Sequence, residues 1–166
     1  MLIIYLSLSS VKVYLLGMVD QGTRRRDLAA MLHPLVRALI AAELPVLARH
    51  GISMWGYVVL NALDSSPPRT QAALAQAIGA DKTRIIGTLD ELQRAGLITR
   101  EPDPDDRRVR LLAITAAGRQ VRAAAQTAIQ ANEDRVLASL PSADRQTFLR
   151  AVEVLAALPQ EEITGG

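Results

Sequence analysis

The chain has 166 residues, 49% of them hydrophobic but with only one Phe, one Trp and three Tyr, and a formal net charge of +2. That length suits one domain burying roughly 70% of its unfolded surface, with a core of Ala, Leu and Val typical of helices. The absence of cysteine excludes disulfides, thiol nucleophiles, thiol redox sensing and Cys-type zinc sites. The mild positive charge permits a nucleic-acid partner without requiring one.

Residues 1–17, MLIIYLSLSSVKVYLLG, are apolar but interrupted by three Ser and Lys12. The run is short for a membrane span of about 20 residues and lacks the basic start and cleavage site of a signal peptide. Residues 1–26 read as an N-terminal extension, and no membrane role is expected. From Asp27 the pattern turns helical, with Leu28, Leu32, Leu35 and Leu39 forming a stripe that Ile40, Leu44 and Leu47 continue. Pro34 and Pro45 are expected to kink or interrupt it. Ser53 stands as the cap of a second helix, MWGYVVLNALD, which ends at SSPPR.

Thr70 then caps QAALAQAI, a short helix with Leu74, Ala75 and Ile78 inward, closed by Gly79. After a turn of about three residues, Asp81 and Gly96 mark the ends of DKTRIIGTLDELQRAG. Ile85, Leu89 and Leu92 give this helix one apolar stripe. The rest of its surface is odd for a helix that only has to be stable. Lys82 and Arg84 place cations in the first turn, against the macrodipole. Gly87 costs about 1 kcal/mol relative to Ala, and Ile86 is left in water. Such a face points to an anionic partner at short range. Helix, tight Gly-containing turn, helix is the helix-turn-helix plan, whose second helix enters the major groove. Next come two strand-like runs, LITRE and VRLLAIT, around the polar loop PDPDDRR. That is a wing.

Between Asp81 and Arg110 seven basic and seven acidic residues cancel, so a basic footprint must come from arrangement. Thr115 caps a long helix reaching about Leu140, with Val121, Ala125, Ala128, Ile129, Val136 and Leu137 along it. Pro141 breaks it, and Ser142 is read as the cap of a last helix through Phe148, Val152, Leu155 and Leu158. Residues 159–166 read as a frayed tail. The first, fifth and sixth helices carry more apolar surface than one winged unit covers, which calls for a second copy of the chain.

The run TQAALAQAIGADKTR…LDELQRAGLITREPDPDDRRVRLLAITAAG resembles the MarR family of winged helix-turn-helix transcriptional regulators. The matching features are Gly96-Leu97-Ile98, the Asp-x-Arg wing motif at Asp106-Arg107-Arg108, and Ile114-Thr115-Ala116-Ala117-Gly118 for the family's Leu-Thr-x-x-Gly. The departure is at Ile86 and Gly87, where members often carry a small polar residue and an Arg. The resemblance covers roughly residues 27–158. It implies a mainly α (α+β) fold with a winged unit at about 53–114, a wing sheet of two or three strands, and dimerisation helices at about 27–50 and 116–158. It also implies a two-fold homodimer on a pseudopalindromic double-stranded DNA operator, in the cytoplasm, acting as a repressor that a small aromatic or amphipathic effector releases.

The DNA-facing candidates are Thr70, Lys82, Thr83, Arg84, Ile86, Gly87, Asp106, Arg107, Arg108 and Arg110. Thr83 and Arg84 are placed to reach base edges, and Lys82 to meet phosphate. Ile86 can touch a thymine methyl or pack on the wing. Gly87 either lets the backbone approach DNA or serves packing. Arg108 is assigned to the minor groove, with Asp106 expected to hold its guanidinium, and Arg107 and Arg110 to phosphate or water. His33, Arg37, Trp55 and Tyr57 lie where such regulators form an effector pocket, although Trp55 also suits a core. His33 and His50 without Cys make a poor metal site, and no cofactor is expected. No Ser/His/Asp order, phosphate-binding Gly loop or carboxylate pair supports an enzyme. The rival reading is a winged-helix dimer serving as a protein-interaction module without DNA binding.

Overall fold

Local capping chemistry sets three of the helix starts. In the computed structural model, which describes residues 25–65, 69–104, 106 and 108–165 (with backbone only at 69 and 82–84), the Ser53 hydroxyl accepts the Gly56 N–H at 3.0 Å and opens helix α2, Met54–Asp64. Thr70 does the same for α3, Gln71–Ala77, through the Ala73 N–H at 3.1 Å. Thr115 opens α5, Ala116–Leu137, through the Gly118 N–H at 3.0 Å. Each hydroxyl satisfies one of the free donors of a helix start. Residues 1–17 lie outside the described residues, as do Pro67, Pro68 and Arg107.

Helix α1, Leu28–Arg49, runs uninterrupted through Pro34 and Pro45. The expected break does not occur, because each proline withdraws a single N–H donor and the turns on both sides retain theirs. The winged unit follows: α2, the short strand β1 (Arg69–Thr70), α3, α4 (Lys82–Arg94), β2 (Ile98–Pro102) and β3 (Arg110–Ile114). The strands form one antiparallel sheet in the order β1-β3-β2, with Ile98 opposite Ile114 and Pro102 opposite Arg110. Helix α6, Ser142–Ala156, has Pro141 at its cap position, so Ser142 is its first helical residue and makes no side-chain cap. Proline's fixed φ suits entry to the helix without a cap from Ser142. Residues 160–164, read as part of a frayed tail, form a short exposed helix, α7 (Gln160–Thr164).

The core gathers Val46 and Leu47 of α1, Val58, Val59, Leu60 and Leu63 of α2, Leu74 of α3, the inward stripe of α4, Leu112 of β3, and Ala125 and Ile129 of α5. It belongs to the winged unit and the roots of α1 and α5. By contrast, Leu28, Met31, Leu32, Val36 and Leu44 of α1, Val136 of α5, and Phe148, Leu149, Val152, Val154 and Leu155 of α6 are exposed. Helix α6 buries nothing within its own chain. By length and composition alone α1 is apolar enough to cross a membrane, yet its C-terminal end is part of this core.

Candidate nucleic-acid interface

Helix α4 is anchored by one face. Ile85, Leu89 and Leu92 are 2%, 0% and 4% exposed, so the i, i+4, i+7 stripe is wholly committed to the core. Its start follows a Gly79 turn: Gly79 has φ +63°, and the Ala80 N–H reaches back to the Ala75 carbonyl at 2.9 Å. Its end repeats the device, with Gly96 at φ +70° and the Leu97 N–H on the Leu92 carbonyl at 2.9 Å. Both are Schellman closures that need a left-handed residue, which glycine adopts without strain. The turn between α3 and α4 is therefore short and fixed, as the helix-turn-helix plan requires.

Ile86 and Gly87, on the outer surface of α4, lie outside the core. Ile86 is 44% exposed. A Cβ added at Gly87 would meet nothing within 4 Å, so no internal packing requires this glycine. Lys82, Thr83 and Arg84 occupy the first turn of α4, and their side chains lie outside the described ones. Thr70 is spent as a cap on α3, although a hydroxyl that accepts can still donate.

The wing is tied to α4 at its base. Arg100 Nη2 of β2 stands 2.7 Å from Asp90 Oδ1 of α4, close as a charge pair although its approach is off the hydrogen-bond axis. The Thr115 hydroxyl donates to the Gly96 carbonyl at 2.8 Å while it accepts from Gly118. The Thr115 N–H bonds the Leu97 carbonyl at 3.0 Å. One residue thus joins the end of α4 to the start of α5.

At the wing tip, the Asp103 N–H bonds the Val109 carbonyl at 3.0 Å and the Val109 N–H bonds the Asp106 carbonyl at 2.9 Å. Asp106 does not hold the Arg108 guanidinium as expected. Its Oδ1 accepts the Arg108 backbone N–H at 2.9 Å, an Asx-type turn that orders far fewer rotors than an ion pair. Arg108 and Arg110 are exposed, free to meet an anion.

Sequence reading missed a polar clamp between α2 and α5. Asp64 Oδ1 accepts from Arg119 Nε at 3.1 Å, and Asp64 Oδ2 lies 3.0 Å from Arg122 Nη2. Arg122 Nη1 also reaches Gln126 at 3.0 Å. A signal was present: Asp64 at the end of α2 and Arg119 near the start of α5 each oppose their own macrodipole. Two misplaced charges of opposite sign are candidates for pairing with each other.

The four expected effector residues are not gathered around one described cavity. His33 is half-buried and Arg37 exposed on α1, while Trp55 packs against the core. Tyr57 is buried, and burial holds its phenol above the ordinary range; Glu43 and Glu133 push the same way, against the Asn61 hydrogen bond and Arg122. A cavity of about 30 Å³ lies between α1 and α5 and is lined by Leu39, Ala42, Glu43, Ile129, Asn132, Glu133 and Val136. Burial and then the Glu133 charge raise the Glu43 carboxyl above its usual range.

Residues 50–109 match the sequence model of the MarR family. A transcriptional regulatory protein for the hcr operon of Thauera aromatica is 31% identical over 99 residues, 60% of either chain. The transcriptional regulator HosA of Escherichia coli O111:H- is 30% identical over 96 residues, 58% of this chain and 71% of HosA. Among solved structures, the transcriptional repressor CouR bound to a 23-mer DNA duplex superposes with a TM-score of 0.66 at 27% identity, covering 84% of this chain and 99% of CouR. CouR from Rhodococcus jostii RHA1 bound to p-coumaroyl-CoA gives 0.63 over 81% and 94%.

Proposed function

Since this chain belongs to the MarR family, we propose that it is a sequence-specific DNA-binding transcriptional regulator, a homodimer that represses until a small effector releases it. The observation that carries this reading is the division of α4: one face is entirely core, and the other has two cations in its first turn, followed by Ile86, which is exposed, and Gly87, where an added Cβ would meet nothing within 4 Å. In this reading the winged unit spans about 53–114, and the helices at 27–50 and 116–158 bury their exposed apolar faces in the partner copy. CouR, as a DNA-bound repressor and as a complex with p-coumaroyl-CoA, supports both the DNA partner and the effector.

Thr83 and Arg84 read bases, Lys82, Arg107 and Arg110 meet phosphate, and Arg108 enters the minor groove. The effector enters between the dimerisation helices and the winged unit, near His33, Arg37, Trp55 and Tyr57. The protein acts in the cytoplasm, without catalysis of its own. Selection of duplexes from a random-sequence pool, footprinting and a salt titration test the proposal. A dimer protecting two half-sites about one helical turn apart, with affinity falling steeply as salt rises, is expected. A monomer on one short site, or the absence of any selected duplex, overturns it in favour of a protein-interaction module.

A further inference from the structure

We propose that Ile86 determines sequence specificity by reading the C5-methyl group of a thymine in the major groove, and that Gly87 is bare so that α4 seats close enough for that contact. The inference rests on the DNA-binding reading above and adds the chemistry of one base position.

Ile86 has no structural reason to be isoleucine. The helix satisfies its apolar requirement with Ile85, Leu89 and Leu92, each at most 4% exposed, while Ile86 is 44% exposed. A β-branched side chain is also a poorer helix former than the straight-chain residues usual on a wet face. Gly87 has no structural reason to be glycine. It is helical and absent from the positive-φ glycines, and an added Cβ would meet nothing within 4 Å. A Gly there costs about 1 kcal/mol against Ala. With backbone conformation and internal packing both removed, the remaining explanation lies outside the chain.

Helical geometry gives the two positions complementary tasks. At 100° per residue, Gly87 falls 200° from the buried Ile85, in the middle of the outer face, and Ile86 falls on its flank. Asp90, one turn beyond Ile86, would repel phosphate if left free, but its carboxylate is engaged by Arg100 at 2.7 Å. The flank therefore presents an apolar group beside a neutralised acid. Among the base edges of the major groove, the thymine methyl is the apolar feature. An isoleucine there matches thymine and offers no hydrogen bond to any other base.

The test uses a duplex selected from a random-sequence pool by the intact protein. Each thymine is then replaced in turn by deoxyuridine, which removes only the methyl group. Wild-type binding should weaken about three- to fivefold at one position per half-site, the worth of one buried methyl. Ile86→Ala, which removes the contact from both protomers, should bind the thymine duplex more weakly by roughly the square of that factor and no longer distinguish it from the uracil duplex. Ile86→Val should retain the discrimination. Gly87→Ala should melt no lower than wild type and yet bind the selected duplex more weakly. Tight wild-type binding that is indifferent to every thymine-to-uracil exchange overturns the inference while leaving the DNA-binding reading intact. Failure to select any duplex overturns both.

Discussion

Gly118 lies directly against the carbonyl of Leu97: a Cβ at residue 118 would fall well inside van der Waals contact of the Leu97 oxygen and 2.8 Å from Ile114 Cγ1. The Thr115-x-x-Gly118 segment is therefore a joint, in which Thr115 ties the end of α4 and Gly118 lets α5 approach it. Gly118→Ala should destabilise the fold by about 1–3 kcal/mol, as overpacking does. The melting temperature should fall by roughly 2–4 °C for each kcal/mol. Thermal melts check this, with Gly87→Ala as the control that should not fall.

The clamp on Asp64 makes unequal partners. Arg122 is largely covered and its Nε has no hydrogen-bond partner, whereas Arg119 is more than half exposed. Asp64→Ala should cost about 1–2 kcal/mol, because it strands the covered guanidinium. Arg119→Ala should stay within about 0.5 kcal/mol. Chemical denaturation of both variants separates them, and equal losses would contradict the geometry.

At the wing, the Asp106 carboxylate needs only an acceptor oxygen to hold the Arg108 backbone. Asp106→Asn should preserve DNA affinity, and Asp106→Ala should weaken it. Arg84→Ala should cost about 1–3 kcal/mol on the best operator and relax preference at one position per half-site. Arg108→Ala should weaken matched and scrambled duplexes more evenly and flatten the salt dependence. Binding at two salt concentrations decides whether these roles are assigned correctly.

Glu43 predicts a pH dependence. Its folded carboxyl titrates above the ordinary value of 4.5, through burial and then the Glu133 charge. Between the two values the folded state binds more protons, so the penalty from Glu43 is absent below about pH 4.5 and complete above the raised value. Glu43→Gln should raise the melting temperature at pH 7, by no more than about 2–4 °C because the site is half-open to solvent. The gain should vanish near pH 4. A gain that persists in acid would point to packing instead.

The exposed apolar residues of α6 predict the assembly. Val152 and Leu155 are 43% and 50% exposed. Replacing both by Lys should leave the winged unit folded but shift the protein to monomer in sedimentation. DNA affinity should fall at least tenfold, because two half-sites can no longer be held together. A dimer that survives would place the interface elsewhere.

What the chain determined by itself is what neighbours in sequence can settle. Ser53, Thr70 and Thr115 cap three residues ahead, Gly79 and Gly96 close helices within one turn, and the stripe of α4 is a matter of helical period. The family's Thr-x-x-Gly could be recognised in the letters, but its reason lies in the approach of α5 to Leu97. Tertiary structure alone decided the Asp64 clamp, whose partners are 55 or more residues apart, since which helices meet is not a local property. The Asp106 carboxylate was settled locally instead, two residues along the chain, although the letters left its partner open. Two partners were within reach, and the backbone amide two residues on won because it was already in place, whereas the guanidinium would have had to give up its rotamers.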